Sequence, residues 1–286
     1  MRVVTHSDPG AFLTHVDSLL TEVPADNHLL HGIVAEIAAA PLRAPMLLAS
    51  IEDSARVHAA AIAMPPRSLV LSRGAGAAFR LLAGHLAASR EPLSGVIGPR
   101  EEADAFAAEW SALMRADAVL RHVQILYDLE RFAEADAVAG SFRLAAENDA
   151  LVLAGWARSF QQEVGVFLPA DALSFVRSKV KAGQLFVWEH GTLVSMAAAT
   201  GRTAGVARIG FVFTPPEHRR RGYAAACVAA LSRRLLDEGC LRLFLFADAA
   251  NPGSNALYRG LGWRPLSEFA DYSFTGGATE GESPDT

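Results

Sequence analysis

The residues best suited to chemistry lie in a basic loop, Arg219–Gly222, between an apolar strand pattern and a long helical pattern. The first N–H groups of a helix have no intrahelical partner, and the helix dipole adds partial positive charge there. Such a helix start binds phosphate-like anions, and a glycine lets the backbone approach them closely. Cations at this end cost roughly 0.3–1 kcal/mol each unless an anion meets them. The loop therefore predicts a diphosphate site, with a solvated basic helix start as the alternative.

A second group of polar residues follows the next strand pattern and is spaced for one helical face. Asn251 and Pro252 form a good cap and first-turn pair. Asn251, Asn255 and Tyr258 then recur at i, i+4 and i+7. Two amides and a phenol aligned on a short helix predict a polar partner, and a phenol can transfer a proton. A solvated polar face with a half-buried tyrosine is the alternative that this pattern leaves open.

Together the two segments resemble the acyl-coenzyme A site of the GCN5-related N-acetyltransferase (GNAT) family. The family's loop, Arg/Gln-x-x-Gly-x-Gly/Ala, is matched by residues Arg219 to Ala224, and its second motif by Asn251, Ser254, Asn255, Tyr258, Gly262 and Trp263. The resemblance implies that loop amides hold the CoA pyrophosphate and that the edge of the preceding strand pairs with the pantetheine arm. The cofactor-binding residues implied in this way are Val212, Phe213, Thr214, Arg219, Arg220, Arg221, Gly222, Tyr223, Ala224, Asn251 and Asn255.

The resemblance also implies an activity, namely direct attack of an amine on acetyl-CoA, which serves as acyl donor without a metal. Tyr258 matches the family's general acid. Many relatives place a basic carboxylate on the strand before the loop, but Val206–Phe213 has no acid. Glu163 is the substitute we expect, with a base acting through water as the other option. The amine acceptor, a small molecule or a peptide, is not identified by the sequence.

Two readings without catalysis remain open at this stage. One is an acyl-CoA-binding sensor or regulatory protein that kept the cofactor loop and lost the chemistry. The other is a structural or interaction protein whose first half is the functional part. Retained Tyr258 and Asn255 favour an enzyme, whereas the acid-free strand keeps the sensor reading open.

Composition restricts the class of protein further. The 286 residues are 51% hydrophobic and 20% charged, with a formal net charge of -5, which indicates a globular core and disfavours nucleic-acid binding. The two cysteines, Cys227 and Cys240, lie in apolar surroundings outside any metal-ligand pattern. Neither a signal peptide nor an apolar run of about 18 residues is present. We therefore expect a cytoplasmic protein that does not bind membranes, with a homodimer as one option for its assembly.

The periodicity predicts an α/β (α+β) fold, and the resemblance implies a mixed, mostly antiparallel GNAT sheet flanked by helices, with two such domains in tandem. The expected domains are a degenerate GNAT-like domain at 1–135, a catalytic domain at 136–275 and a disordered tail at 276–286. A strand ending in a Pro pair occurs in both halves, at Ala61–Pro66 and Phe211–Pro216, and suggests a duplication or a chance echo. No matching acyl-CoA loop follows Pro65-Pro66, which is why the first domain is interpreted as degenerate.

Overall fold

The contacts in the computed structural model divide the chain into two compact units. The structure describes residues 1–39, 46–89, 93–129, 132–133, 136–165, 171–203 and 205–276. Unit 1 comprises Met1–Gln124 and Ser267–Thr286, and unit 2 comprises Ile125–Leu266. This grouping differs from the expected boundaries, because the chain enters unit 2 at Ile125 and its last strand returns to unit 1. The expected tail beyond residue 276 lies outside the described residues. So does Pro169, a residue suited to the first turn of a helix that the sequence predicts to run to about Lys181.

The described residues of the first half form ten regular elements that run in the order strand, two helices, three strands, helix, strand, helix, strand. The sequence patterns predict nine of them to within a few residues, and they do not predict β1. The predicted ranges are Phe12–Leu20, His28–Ala40, Met46–Ile51, Val57–Met64, Ser68–Leu71, Ala77–Ala88, Gly95–Ile97, Glu101–Arg115 and Val119–Leu129. The observed elements are β1 (Arg2–His6), α1 (Pro9–Glu22), α2 (Pro24–Ala39), β2 (Leu47–Glu52), β3 (Val57–Ala63), β4 (Leu69–Leu71), α3 (Gly76–Ser89), β5 (Gly95–Pro99), α4 (Arg100–Met114) and β6 (Ala116–Leu129).

The second half repeats the same order of elements, apart from short 3₁₀ turns. They are β7 (Ser141–Leu144), α5 (Ala150–Val164), α6 (Ala172–Lys181), β8 (Leu185–Glu189), β9 (Leu193–Thr203), β10 (Val206–Phe213), α7 (Tyr223–Asp237), β11 (Arg242–Asp248), α8 (Pro252–Gly260) and β12 (Arg264–Gly276). The matching order, not the Pro pairs, is what relates the two halves. Pro65-Pro66 follows β3 and Pro215-Pro216 follows β10, whereas the counterpart of β10 is β4.

The sheets are mixed and mostly antiparallel, as predicted. In unit 1 the strands run β1-β2-β3-β4-β5-β12, with β4 and β5 parallel and the other registered neighbours antiparallel. In unit 2 the order is β11-β10-β9-β8-β7, with β10 and β11 parallel and Ile125–Leu129 of β6 beside β11. The last strand of the first half, β6, therefore continues into unit 2, and the last strand of the second half, β12, continues into unit 1.

The core of unit 2 covers both faces of its sheet. One cluster packs α7 and α8 on the sheet and includes Cys227, Leu243 and Trp263, while the other packs α5 and α6 and includes Leu153, Val176 and Phe213. Leu243 to Leu245 are all buried, which explains their continuous apolar sequence. Within the described part of the chain, no helix is both long and apolar enough to cross a bilayer.

Candidate functional site

The two parallel strands β10 and β11 separate before they end. Their pairing extends from Val206 opposite Arg242 to Arg208 opposite Phe244, and no further pair is formed among the described residues, although β10 continues to Phe213 and β11 to Asp248. The facing backbone edges of the later residues are therefore not paired with each other. Crevices at the carboxyl ends of parallel strands are the usual ligand sites of open α/β sheets.

A β-bulge lies on the open part of β10. The register with β9 shifts between Gly210 and Phe213, and Phe211 has a φ of 51°, in the left-handed region that few non-glycine residues adopt. Val212 packs against the α7 side of the sheet and Phe213 is buried on the α5 side. Because both side chains are used in packing, what the strand can offer a ligand is its backbone edge.

Thr214, just beyond β10, belongs to a hydrogen-bonded group that sequence reasoning missed. Its hydroxyl donates to Ser195 Oγ at 3.0 Å, and Ser195 Oγ donates to the Phe213 carbonyl at 3.2 Å. Ser195 is fully buried on β9. The pair fixes the end of the open strand, where the chain turns into the basic loop.

The basic loop takes left-handed conformations at two positions. Arg220 has a φ of 59° and Gly222 a φ of 80°. A Cβ placed on Gly222 would also lie 2.9 Å from Val138 Cγ2, which is closer than real Cβ contacts. Gly222 is therefore required by its backbone conformation and by the packing of Val138, in addition to the close approach to an anion expected from the sequence.

The start of α7 is not capped by a side chain within the described chain. Gly222 occupies the N-cap position, and Ala226 N–H makes the first intrahelical bond, to the Gly222 carbonyl at 2.9 Å. The N–H groups of Tyr223, Ala224 and Ala225 consequently have no intrahelical acceptor. The arrangement confirms the uncapped helix start on which the predicted anion site depends. The Tyr223 side chain has another partner, because its hydroxyl lies within hydrogen-bond distance, 2.8 Å, of His190 Nδ1.

The three loop arginines differ in their partners. Arg220 and Arg221 are exposed and form no ion pair with any described residue. Arg219 instead donates from Nη2 to both carboxylate oxygens of Glu163, at 2.6 and 2.9 Å, and from Nε to the Thr214 carbonyl at 2.8 Å. Two cations thus remain available beside the helix start, while the third connects the loop to the end of α5.

The predicted cap of α8 is confirmed. Asn251 is the N-cap residue, and its Oδ1 accepts a hydrogen bond from Ser254 N–H at 3.0 Å. Its side chain therefore has a structural role, and its predicted contact with the cofactor stays a prediction.

Asn255 is buried and its amide group is used inside the protein. Its Nδ2 donates to the Asp248 and Asn251 carbonyls at 2.9 and 2.7 Å, and its Oδ1 accepts from the Tyr127 hydroxyl at 2.8 Å. The polar partner that the aligned side chains predicted is thus a tyrosine of β6 together with the chain before α8. Within the described chain these bonds use both donors of the amide, so direct binding of a cofactor by Asn255 remains a prediction.

Tyr258 is buried on α8, between two aromatic rings. Its ring centroid lies 6.0 Å from that of Tyr127 and 6.4 Å from that of Trp263. Burial raises the pKa of Tyr258, and the neighbouring Tyr127 phenol raises it further. The neutral phenol is therefore the stable form over an extended pH range, as a proton donor requires.

The corresponding loop of the first half is filled by the protein itself. This loop, Ser72–Ala75, lies between β4 and α3. Glu102, 2% exposed, accepts from Gly74 N–H at 3.2 Å and from Arg73 Nη1 at 3.3 Å, and Asn27 Oδ1 accepts from Arg73 N–H at 2.7 Å. A buried carboxylate already binds the donors of this loop. The sequence suggested that the loop should follow Pro65-Pro66, which was the wrong position because β4 intervenes.

The comparisons with known proteins agree with this geometry. Residues 152–263 match the family model described as "Acetyltransferase (GNAT) family". No match was found among curated proteins.

Solved structures of similar fold cover nearly the whole chain. An acetyltransferase of the GNAT family from Colwellia psychrerythraea aligns with a TM-score of 0.61 at 13% identity, over 96% of this chain and 100% of its own. A GCN5-related N-acetyltransferase from Sphaerobacter thermophilus gives 0.63 at 16%, over 97% of each chain. A tandem GNAT protein from the clavulanic acid biosynthesis pathway gives 0.62 at 16%, over 97% of this chain and 99% of its own. At these identities the likeness shows the fold, and it confirms the predicted tandem arrangement.

Proposed function

We propose that the protein transfers an acetyl group from acetyl-CoA to a primary amine by direct attack. The premise is that the chain belongs to the GNAT acetyltransferase family through its second half. Members of this family are generally acetyl-CoA-dependent N-acetyltransferases. The proposal assigns the chemistry to unit 2, which contains the matched residues. The acceptor is a small-molecule or peptide amine, and the two free, buried cysteines are consistent with a reducing cytoplasm.

The observation that carries the proposal is that an open strand edge leads directly to an uncapped helix start. Beyond Arg208, the edge of β10 that faces β11 has no pairing partner among the described residues of β11, so it can accept an extended, amide-containing arm by backbone hydrogen bonds. The N–H groups at the start of α7 and the exposed Arg220 and Arg221 suit the diphosphate of the same molecule. Together, these features suit a thioester carrier that has an amide-containing arm and a diphosphate.

When bound, acetyl-CoA supplies an activated thioester carbonyl. Backbone N–H groups at the β10 bulge, around Phe211–Phe213, are suited to stabilising negative charge that develops on the carbonyl oxygen. Tyr258 holds a proton that it can donate to the departing thiolate. The attacking amine must lose a proton, since its unperturbed pKa is about 10.4 if it resembles lysine. Glu163, directly or through water, is assigned this role.

The proposal is tested first by calorimetry with acetyl-CoA. We expect binding near one molecule per chain, because Glu102 already fills the loop of the first half. The double variant Arg220→Glu/Arg221→Glu should weaken binding at least roughly tenfold. Arg158→Glu/Arg264→Glu, which causes the same change in net charge at exposed positions of unit 2, is the matched control and should have a much smaller effect.

Turnover is then measured as release of CoA with a panel of amines that includes polyamines, aminoglycosides and lysine peptides. Release with at least one amine supports the enzyme. Binding without release from any amine would instead support the acyl-CoA sensor, which the acid-free strand β10 favours. Absence of acetyl-CoA binding by the folded protein would refute both functions.

A further inference from the structure

Arg219 and Glu163 form an ion pair that joins the two sides of the proposed site. Arg219 belongs to the loop expected to hold the diphosphate, and Glu163, the base expected to act on the amine, lies in the last turn of α5. The pair is bidentate, with Arg219 Nη2 2.6 Å from Oε1 and 2.9 Å from Oε2 of Glu163. The carboxylate proposed to accept the proton of the amine is therefore neutralised by an arginine of the acyl-donor site.

We infer that Arg219 controls Glu163, and that binding of acetyl-CoA releases this carboxylate for the amine. Without the acyl donor, Arg219 neutralises Glu163. A diphosphate at the start of α7 competes for the same guanidinium group, so the Glu163 carboxylate becomes free to attract the ammonium form of the acceptor and take up its proton. Arg219 is thus a positioning residue for Glu163. The inference rests on the proposed function and adds an order of events to it.

The exposure of the pair makes such an exchange feasible. The Arg219 and Glu163 side chains are 42% and 47% exposed. Exposed ion pairs contribute only about 0.2–1 kcal/mol. A diphosphate carries more charge than one carboxylate and is also bound by helix N–H groups, so it is the stronger competitor. Because acetyl-CoA must break this pair when it binds, the pair should weaken acetyl-CoA binding roughly 1.4- to fivefold, which is that energy expressed as a ratio of dissociation constants.

Two further contacts hold Arg219 in place while its terminal nitrogens change partner. Its Nε donates to the Thr214 carbonyl at 2.8 Å, and its guanidinium carbon lies 5.7 Å from the Phe213 ring centroid. Both contacts involve the end of the open strand β10. They leave the Nη groups as the part of the side chain that binds either Glu163 or an incoming anion.

The decisive experiment compares acetyl-CoA affinity in a double-mutant cycle. Glu163→Gln should bind acetyl-CoA roughly 1.4- to fivefold more tightly than the wild type, because the competitor for Arg219 is removed. The same substitution made in an Arg219→Gln background should leave the affinity unchanged. Glu217→Gln is the matched control. Glu217 is an exposed carboxylate two residues before Arg219, and it forms no ion pair with any described residue. This control should tighten binding less than Glu163→Gln does.

Kinetics provide a readout that a purely structural ion pair would not change. Glu163→Gln should lower kcat/KM for the amine and at the same time raise the affinity for acetyl-CoA, so catalysis and donor binding change in opposite directions. If Glu163→Gln leaves acetyl-CoA affinity unchanged or weaker, or acts equally in the Arg219→Gln background, the coupling is refuted. Failure of the wild type to bind acetyl-CoA refutes the proposed function itself, whereas binding that is insensitive to Glu163 refutes only the coupling.

Discussion

The Tyr127 hydroxyl donates a 2.8 Å hydrogen bond to Asn255 Oδ1, across 128 positions of the chain. Tyr127 is fully buried on β6, a strand formed at the end of the first half, and Asn255 is buried on α8. The same amide binds the carbonyls of Asp248 and Asn251, so this bond anchors the helix that carries Tyr258. Strand β6, which begins in unit 1 and ends in unit 2, thereby helps to hold the helix that carries Tyr258, the proposed acid.

Tyr127→Phe should lower the free energy of unfolding by about 1–3 kcal/mol, because it leaves the buried Asn255 oxygen without its donor. Urea unfolding measures this loss. Tyr223→Phe is the comparison, since it removes a hydroxyl whose partner, His190, is exposed and can bond to water instead. Its loss should be below that of Tyr127→Phe, and equal losses would contradict the importance of Asn255.

Tyr258→Phe should lower kcat by roughly 10²-fold or more while acetyl-CoA affinity changes little, because the ring keeps its contacts with Tyr127 and Trp263. A raised pKa means that the phenol stays protonated to a higher pH than usual. In the wild type, kcat should therefore show no loss from Tyr258 ionisation below about pH 10. Unchanged turnover of the folded variant, under conditions limited by chemistry, would reject Tyr258 as the acid.

Gly222→Ala should destabilise the protein more than Gly239→Ala does. Both glycines have positive φ angles, 80° and 93°, at which alanine costs about 1–2 kcal/mol. Only Gly222 adds a clash, 2.9 Å from Val138, whereas no atom of the described chain lies within 4 Å of a Cβ at Gly239. Thermal or urea unfolding should give a difference of about 1 kcal/mol or more, and equal losses would show that Val138 moves aside freely.

Glu102→Gln should change how stability depends on pH. Burial raises the pKa of Glu102 above its usual 4.5, against the opposing effects of Gly74 and Arg73. A raised folded-state pKa means that the folded protein binds more protons than the unfolded chain, so this group's contribution to stability is lost as pH rises through the raised value.

The difference in unfolding free energy between Glu102→Gln and the wild type should accordingly shift in favour of the variant as pH rises from about 4.5. Urea unfolding at a series of pH values measures it. A difference that does not depend on pH, or one that shifts the other way, would show that burial does not dominate the ionisation of Glu102.

Much of the site was predictable because its signals are local. The uncapped start of α7, the positive φ of Gly222 and the Asn251 cap each depend on a few neighbouring residues. Helix caps and left-handed turns have residue preferences that do not need a partner from elsewhere in the chain. The segments identified from the sequence as the cofactor loop and the acid-bearing helix lie between β10 and α7 and on α8, and their binding and catalytic roles stay predictions.

The first-half loop shows where local signals failed. A shared Pro pair suggested that β3 and β10 correspond, but the short strand β4, Leu69–Leu71, comes between the Pro pair and α3. No residue near Gly74 indicates that Glu102, on α4, supplies the carboxylate to its N–H group. The group that binds the donors of this loop comes from α4, which is distant in the sequence.

By itself, the sequence determined most of the elements and the two motifs, because periodicity, caps and turns act over a few residues, and the resemblance of those motifs to the GNAT family implied the mixed tandem fold. Only the tertiary structure decided which side chains meet: Tyr127 with Asn255, Glu163 with Arg219, and the returning strand β12 with β5. Such partners depend on strand order, register and the packing of a whole core, and many combinations of distant residues fit the same local patterns. The chemistry proposed for this protein therefore follows from local sequence, whereas its control by Arg219 follows from a contact between residues 56 positions apart.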